Sequence, residues 1–246
     1  MVTTLYLIRH GETEGSETKR YKGSIDVPMS EKGIEQIRKT SAFISAEVRK
    51  HKGSEVTSEL PNFQASKLTA VYCSPLSRAL KSAEIIAESN GLKPIVIEAL
   101  KERSFGIWEG MTFTEIKEKY PPEFETWAGN PLRYSPIDGE STLEVRERAV
   151  SALNKIIDNH SCNRIQDAGY RIQDKKNHES CIMNLASSSS IAIVAHGGVN
   201  RIILCHIMGI PLENIFRIEQ DFAAVNIIEF WEKYPVVKLI NGVCIG

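Results

Sequence analysis

Three short apolar runs constrain this chain more than anything else in it: Leu5-Tyr6-Leu7-Ile8, Leu68-Thr69-Ala70-Val71-Tyr72 and Ile191-Ala192-Ile193-Val194-Ala195. Each is continuous where a half-exposed strand would alternate, which is the pattern of a strand covered on both faces. Pro94-Ile95-Val96-Ile97 is a fourth candidate, and Ala224 to Phe230 a fifth. The fifth pairs naturally with Val236-Val237-Lys238-Leu239-Ile240 across a turn at Lys233-Tyr234-Pro235, giving an antiparallel edge. Helical patterns alternate with the strands. Ser30-Glu31-Lys32-Gly33 opens one that places Ile34, Ile37, Ser41, Ile44 and Val48 on one face. Leu76 to Ser89 is a second, stopped by Gly91, and Ser141 or Thr142 caps a third through Val145, Ala149, Leu153 and Ile156. A fourth runs from Gly197-Gly198 to Met208-Gly209. Strands alternating with helices predict an α/β three-layer sandwich around a largely parallel sheet.

A sheet of that kind binds ligands outside the carboxyl ends of its strands, where helix N-termini present free N–H groups. The residues after each buried strand are therefore the informative ones. The first strand runs into Arg9-His10-Gly11-Glu12-Thr13, the second into Cys73-Ser74-Pro75-Leu76-Ser77-Arg78, the third into His196-Gly197-Gly198. Parallel strands deliver Arg9, His10, Arg78 and His196 to one crevice. Two guanidinium groups, two imidazoles and glycine-exposed amides suit a dianionic phosphate. His10, in a strand-to-helix loop, is expected to pack little.

Composition narrows the rest. In 246 residues, 30 Lys+Arg stand against 31 Asp+Glu, which argues against a nucleic-acid or membrane-surface protein. The length suits one domain, 1–246, and no window approaches the ~18 apolar residues of a membrane span. The N-terminal residues read as a strand, with neither a basic leader nor a cleavage site. Cys73, Cys162, Cys181, Cys205 and Cys244, odd in number and scattered, favour a reducing compartment, so a cytoplasmic location is expected. Residues 51–67 read as a polar loop. Residues 159–190, with the doubled tetrapeptide Arg164-Ile165-Gln166-Asp167 and Arg171-Ile172-Gln173-Asp174, read as a mobile insertion. His160, Cys162, His178 and Cys181 within it form a set that zinc accepts, but their spacing matches no standard finger, so no metal is expected. A homodimer is compatible with all of this, and the sequence does not set the oligomeric state.

Six ordered blocks resemble the histidine phosphatase superfamily, the phosphoglycerate-mutase-like fold. They are Leu7-Ile8-Arg9-His10-Gly11-Glu12-Thr13, Gly23…Asp26…Ser30-Glu31-Lys32-Gly33, Ser74-Pro75-Leu76-Ser77-Arg78-Ala79, Leu100 to Gly110, Asp138-Gly139-Glu140-Ser141, and Val194 to Gly198. The Phe105-Gly106-Ile107-Trp108-Glu109-Gly110 block most resembles the α-ribazole and broad-specificity phosphatases. The resemblance implies a phosphomonoesterase without a cofactor, acting on a small-molecule ester. His10 would be the phosphorylated nucleophile, and Glu102 the acid that protonates the leaving alcohol. Arg9, Arg78, His196 and the Gly197 amide would hold the phosphoryl oxygens. Ser16 stands where the family commonly has a phosphate-donating Asn, with a shorter reach. Phe105, Trp108 and Phe113 would shape the substrate pocket. The chemistry is consistent: like charge from two arginines keeps an imidazole neutral and nucleophilic, and a carboxyl set opposite a phosphate dianion is driven toward its protonated form. Two other readings are phosphoglycerate mutase and a catalytically silent phospho-ligand binder. The silent binder conflicts with the presence of both His10 and Glu102. A mutase would place a tyrosine at Phe105, a lysine at Phe113 and a carboxylate clamp within 111–137, where this chain offers an apolar surface.

Overall fold

The computed structural model describes residues 2–50, 68–160 and 189–244. Six strands form one sheet: β1 (Thr3–Arg9), β2 (Ala70–Cys73), β3 (Ile95–Val96), β4 (Ser189–Ala195), β5 (Val225–Phe230) and β6 (Pro235–Gly242), in the order β3-β2-β4-β1-β5-β6. The first four in that order are parallel, with Leu7 beside Ile193 and Tyr72 beside Ile193. β5 and β6 add the antiparallel edge.

The continuous apolar runs are explained by what covers them. Leu5, Leu7, Tyr72, Ile191 and Ile193 pack against α5 (Thr142–His160) and α6 (Gly197–Met208). Tyr6, Ile8, Val71, Ala192 and Val194 face the other way, onto α1 (Glu31–Lys50) and α2 (Ser77–Glu88). Alternate residues of one strand thus fill two cores, each fully buried Ile or Leu contributing about 1.5–3 kcal/mol.

Local signals set the helix boundaries. Ser141 caps α5, its Oγ accepting from the Glu144 N–H while Glu144 accepts from the Ser141 N–H. No side chain of its own first turn caps α2. Asp26, from the loop before α1, accepts from the Ser77 N–H and hydroxyl and so fastens that loop to the helix. Gly91, with φ of 68°, ends the same helix. A third cluster lies apart from the sheet. There α3 (Phe113–Lys119) and α4 (Pro121–Gly129) fold Ile116 and Phe124 onto Trp108, with Tyr21, Phe105, Trp127 and Tyr134 around them.

The structure trims the polar stretch at 159–190. Residues 159 and 160 finish α5, and Ser189 and Ser190 begin β4. Residues 161–188, hence Cys162, His178, Cys181 and both tetrapeptides, lie outside the described residues, as does 51–67. His160 closes α5 with its Nε2 2.9 Å from the Tyr72 hydroxyl and its Nδ1 3.4 Å from Ser189 Oγ. Among the described residues no group of three His, Cys, Asp or Glu is placed to hold a metal, and no helix is long and apolar enough to cross a membrane.

Candidate active site

Four junctions meet at the carboxyl end of the parallel strands. Arg9 ends β1, His10 follows it, Arg78 sits in the first turn of α2, and His196 joins β4 to α6. Glu102 arrives from the loop after β3. A cavity of about 790 Å³ opens there, lined by Arg9, His10, Ser16, Arg78, Glu102, Phe105, Trp108, Phe113 and Gly197, among others.

His10 is 5% exposed, contrary to the expectation that it packs little. Its ring lies 5.1 Å from that of His196 and 5.7 Å from that of Phe222, and the Ala223 N–H donates to the His10 carbonyl. The loop before β5 closes over it, which nothing local to His10 signals. Burial first, then Arg9 and Arg78, pushes its pKa well below the ordinary imidazole value, against a weaker opposing pull from its hydrogen bond to Gly11. The ring is neutral. Nδ1 lies 2.7 Å from the Gly11 carbonyl, which can only accept, so Nδ1 carries the proton and Nε2 the lone pair.

His196 is fully buried beside His10. Its pKa is also driven far down, by burial and then by His10 and the arginines. Ser74 Oγ accepts from the Leu76 N–H and lies 2.8 Å from His196 Nε2. The other ring nitrogen, Nδ1, is buried and has no partner among the described residues.

The arginines are held by backbone. Arg78, 2% exposed, donates to the carbonyls of Ile25 and Gly23, each at 2.7 Å. Arg9 donates to the Gln220 carbonyl and lies 3.9 Å beneath the Phe222 ring, leaving its buried Nε unpartnered. Burial brings its pKa down to about 10, so it remains charged. Glu102 accepts from the Arg103 N–H at Oε1 and from the Gly198 N–H at Oε2. A β-carbon on Gly198 would fall 2.6 Å from Oε1, so only glycine allows this approach.

Ser16 lines the cavity from a short 3-10 turn, Ser16–Thr18. Phe105, Trp108 and Phe113 line it from the aromatic cluster, with Trp108 stacked on Tyr134 at 5.5 Å. Lys19, Arg20 and Lys22, from outside 111–137, also line the cavity, and the sequence does not mark them. Other supports also escaped the sequence. Arg148 joins the Glu140 carboxylate at 2.8 Å to the carbonyls of Ala99 and Lys101, just before Glu102. Burial raises the Glu140 pKa, but Arg148 and the Ser104 N–H outweigh it and hold the carboxyl below its usual range. The Asp138–Ser141 block is thus a brace as well as a helix cap. Glu109 accepts from Ser24 and from the Phe105 N–H, tying the Gly23 loop to the pocket wall. At Gly106, φ is 51° and a β-carbon would strike the Ile137 carbonyl, which lets the 104–106 and 137–139 turns touch.

The profile of the histidine phosphatase superfamily (branch 1) matches residues 5–61, 50–166 and 176–242. The chain belongs to that superfamily. This histidine phosphatase is 26% identical, over 98% of its length and 92% of the relative's, to phosphoserine phosphatase 1 of Hydrogenobacter thermophilus. It is 22% identical to the adenosylcobalamin/alpha-ribazole phosphatase of Escherichia coli, over 98% and 97% of the two chains. Among solved structures, Bacillus stearothermophilus YhfR superimposes with a TM-score of 0.72 at 27% identity, covering 98% of each chain.

Proposed function

We propose that this histidine phosphatase hydrolyses a small-molecule phosphomonoester through a phosphohistidine at His10. The observation that carries the reading is the His10 tautomer. A neutral ring with Nδ1 bound to the Gly11 carbonyl has one nucleophilic atom, Nε2, in a cavity shared with Arg9 and Arg78. Nε2 attacks phosphorus, and the ester oxygen leaves with a proton from Glu102. The two guanidinium groups, the Gly197 N–H and His196, its proton on Nδ1 with the Ser74 hydroxyl donating to Nε2, take up charge on the phosphoryl oxygens. Water, activated by the Glu102 carboxylate, then attacks the phosphohistidine. Inorganic phosphate departs and His10 is restored. Ser16 adds a hydroxyl donor at the rim.

The leaving group is bulky and aromatic or nucleotide-like, with α-ribazole 5′-phosphate as the candidate. A cavity of about 790 Å³ is sized for a drug-like ligand, and Phe105, Trp108, Phe113 and Trp127 offer it ring faces. A second reading, phosphoserine, is favoured by Lys19 at the cationic rim, which suits a carboxylate. Measuring phosphate release from α-ribazole 5′-phosphate, nucleoside monophosphates, phosphoserine and 3-phosphoglycerate decides between them. The bulky esters are expected to give the highest kcat/KM, with 3-phosphoglycerate isomerisation negligible. Interconversion of 3- and 2-phosphoglycerate without net phosphate release, stimulated by a bisphosphoglycerate primer, would overturn the phosphatase reading in favour of a mutase.

A further inference from the structure

Lys22 occupies a place that the strand-end motifs do not account for. Its ammonium donates to Thr13 Oγ1 at 2.7 Å and to the Glu14 carbonyl, both in the loop that begins with His10. Its neighbour Gly23 supplies the carbonyl that fixes Arg78 Nη2. Lys22 therefore bridges the two elements that carry His10 and Arg78, and it lines the same cavity. An ammonium has three N–H donors and two are occupied, so one remains.

We infer that Lys22 is a third cationic ligand of the phosphoryl group. This rests on the phosphohistidine reading above. In-line transfer spreads charge over three equatorial oxygens, and Arg9, Arg78 and Lys22 provide one cation for each. The electrostatics agree: Lys22 is among the charges that lower the His10 pKa, and burial followed by Arg78 lowers that of Lys22 itself. Held by a buried threonine hydroxyl and a carbonyl, the ammonium is preorganised, unlike a free surface lysine.

The test compares Lys22→Gln and Lys22→Arg with wild type on p-nitrophenyl phosphate, which has no second anion, and on phosphoserine, which has a carboxylate. Lys22→Gln is expected to lower kcat/KM by about 10- to 100-fold, by the same factor on both esters, and to weaken inhibition by vanadate; Lys22→Arg retains most activity. The acid limb of the kcat/KM profile should also shift to higher pH in Lys22→Gln. His10 is faced by Arg9, Arg78, His196 and Lys22, and losing one like charge makes it easier to protonate. A loss confined to phosphoserine would overturn the proposal and make Lys22 a leaving-group contact. Equal losses in both variants with vanadate inhibition unchanged would also overturn it, leaving Lys22 a loop tie. Failure of the underlying reading looks different, because wild type would then form no phosphohistidine whatever Lys22 does.

Discussion

Replacing Gly198 by alanine separates the stability of the site from its geometry. Gly198 is the second residue of α6, and its N–H holds Glu102 Oε2 at 3.1 Å. An added β-carbon would lie 2.6 Å from Oε1 and 3.3 Å from Cδ of the same carboxylate. Ordinary contact begins near 3.4 Å, so Oε1 must retreat by about 0.8 Å. The group that yields is the far end of a flexible side chain, so the fold survives. Alanine in a helix gains roughly 0.5–1 kcal/mol over glycine, while a weakened charge-assisted hydrogen bond costs about 1.5–3 kcal/mol. The net cost is about 0.5–2.5 kcal/mol. Catalysis is less tolerant, since a misplacement near 1 Å of a group at the reacting bond costs on the order of 10²-fold. Steady-state hydrolysis of p-nitrophenyl phosphate, alongside thermal unfolding, should therefore show Gly198→Ala folded and about 10²-fold slower in kcat. The adjacent Gly197→Ala is the control. Its β-carbon would meet Arg201 Nη1 at 3.3 Å, Arg9 Nε at 3.4 Å and Arg9 Cζ at 3.5 Å, close to ordinary contact, so a loss of only a few-fold is expected. Wild-type kcat in a folded Gly198→Ala would refute the role given to the position of Glu102.

Three further outcomes follow from the same geometry. His10 and His196 are buried and neutral, with pKa values depressed below the ordinary 6.5, so the unfolded chain binds more protons than the folded one once the pH drops below that value. Their contribution is complete above pH 6.5 and declines toward the depressed values at about 1.4 kcal/mol per pH unit for each; urea titrations from pH 7 to 5 should show this, and His196→Asn should remove part of the slope. Arg148→Met should cost about 2 kcal/mol by unpairing Glu140 and freeing the Ala99 and Lys101 carbonyls, and it should lower kcat because those residues lead into Glu102; urea unfolding and kinetics measure both effects. His160 and Ser189 approach within 3.4 Å, so a short Gly/Ser linker can replace 161–188, and the variant should keep its thermal midpoint within a few degrees and most of its activity.

The parts of this molecule visible in its sequence are those whose chemistry and local pattern coincide. The runs at 5–8 and 191–195 are apolar at every position because both sheet faces are covered, and the polar residues that end them lie where such a sheet binds ligands. Arg9, His10, Arg78 and His196 could be placed together on that ground alone. What stayed hidden acts across long chain separations. Phe222 covers Arg9 and His10 only because β5 lies antiparallel beside β1. Lys22 looks like any charged loop residue until Thr13 and Glu14 hold its ammonium. The Glu140–Arg148 pair spans two turns of α5 from a turn that alone reads as a helix cap. Burial of His10 and His196, which keeps them neutral, belongs to the same class, since no spacing rule foretells how deeply a junction residue lies.

The central claim is that His10 Nε2 takes the phosphoryl group from the ester. Wild-type enzyme mixed with a radiolabelled monoester should be quenched into alkali within one turnover, then digested and mapped. Label is expected on the peptide containing His10, stable in alkali and released by acid, with no label and no turnover in a folded His10→Ala protein. Turnover with no trapped adduct, or a His10→Ala enzyme retaining near-normal activity, would contradict it.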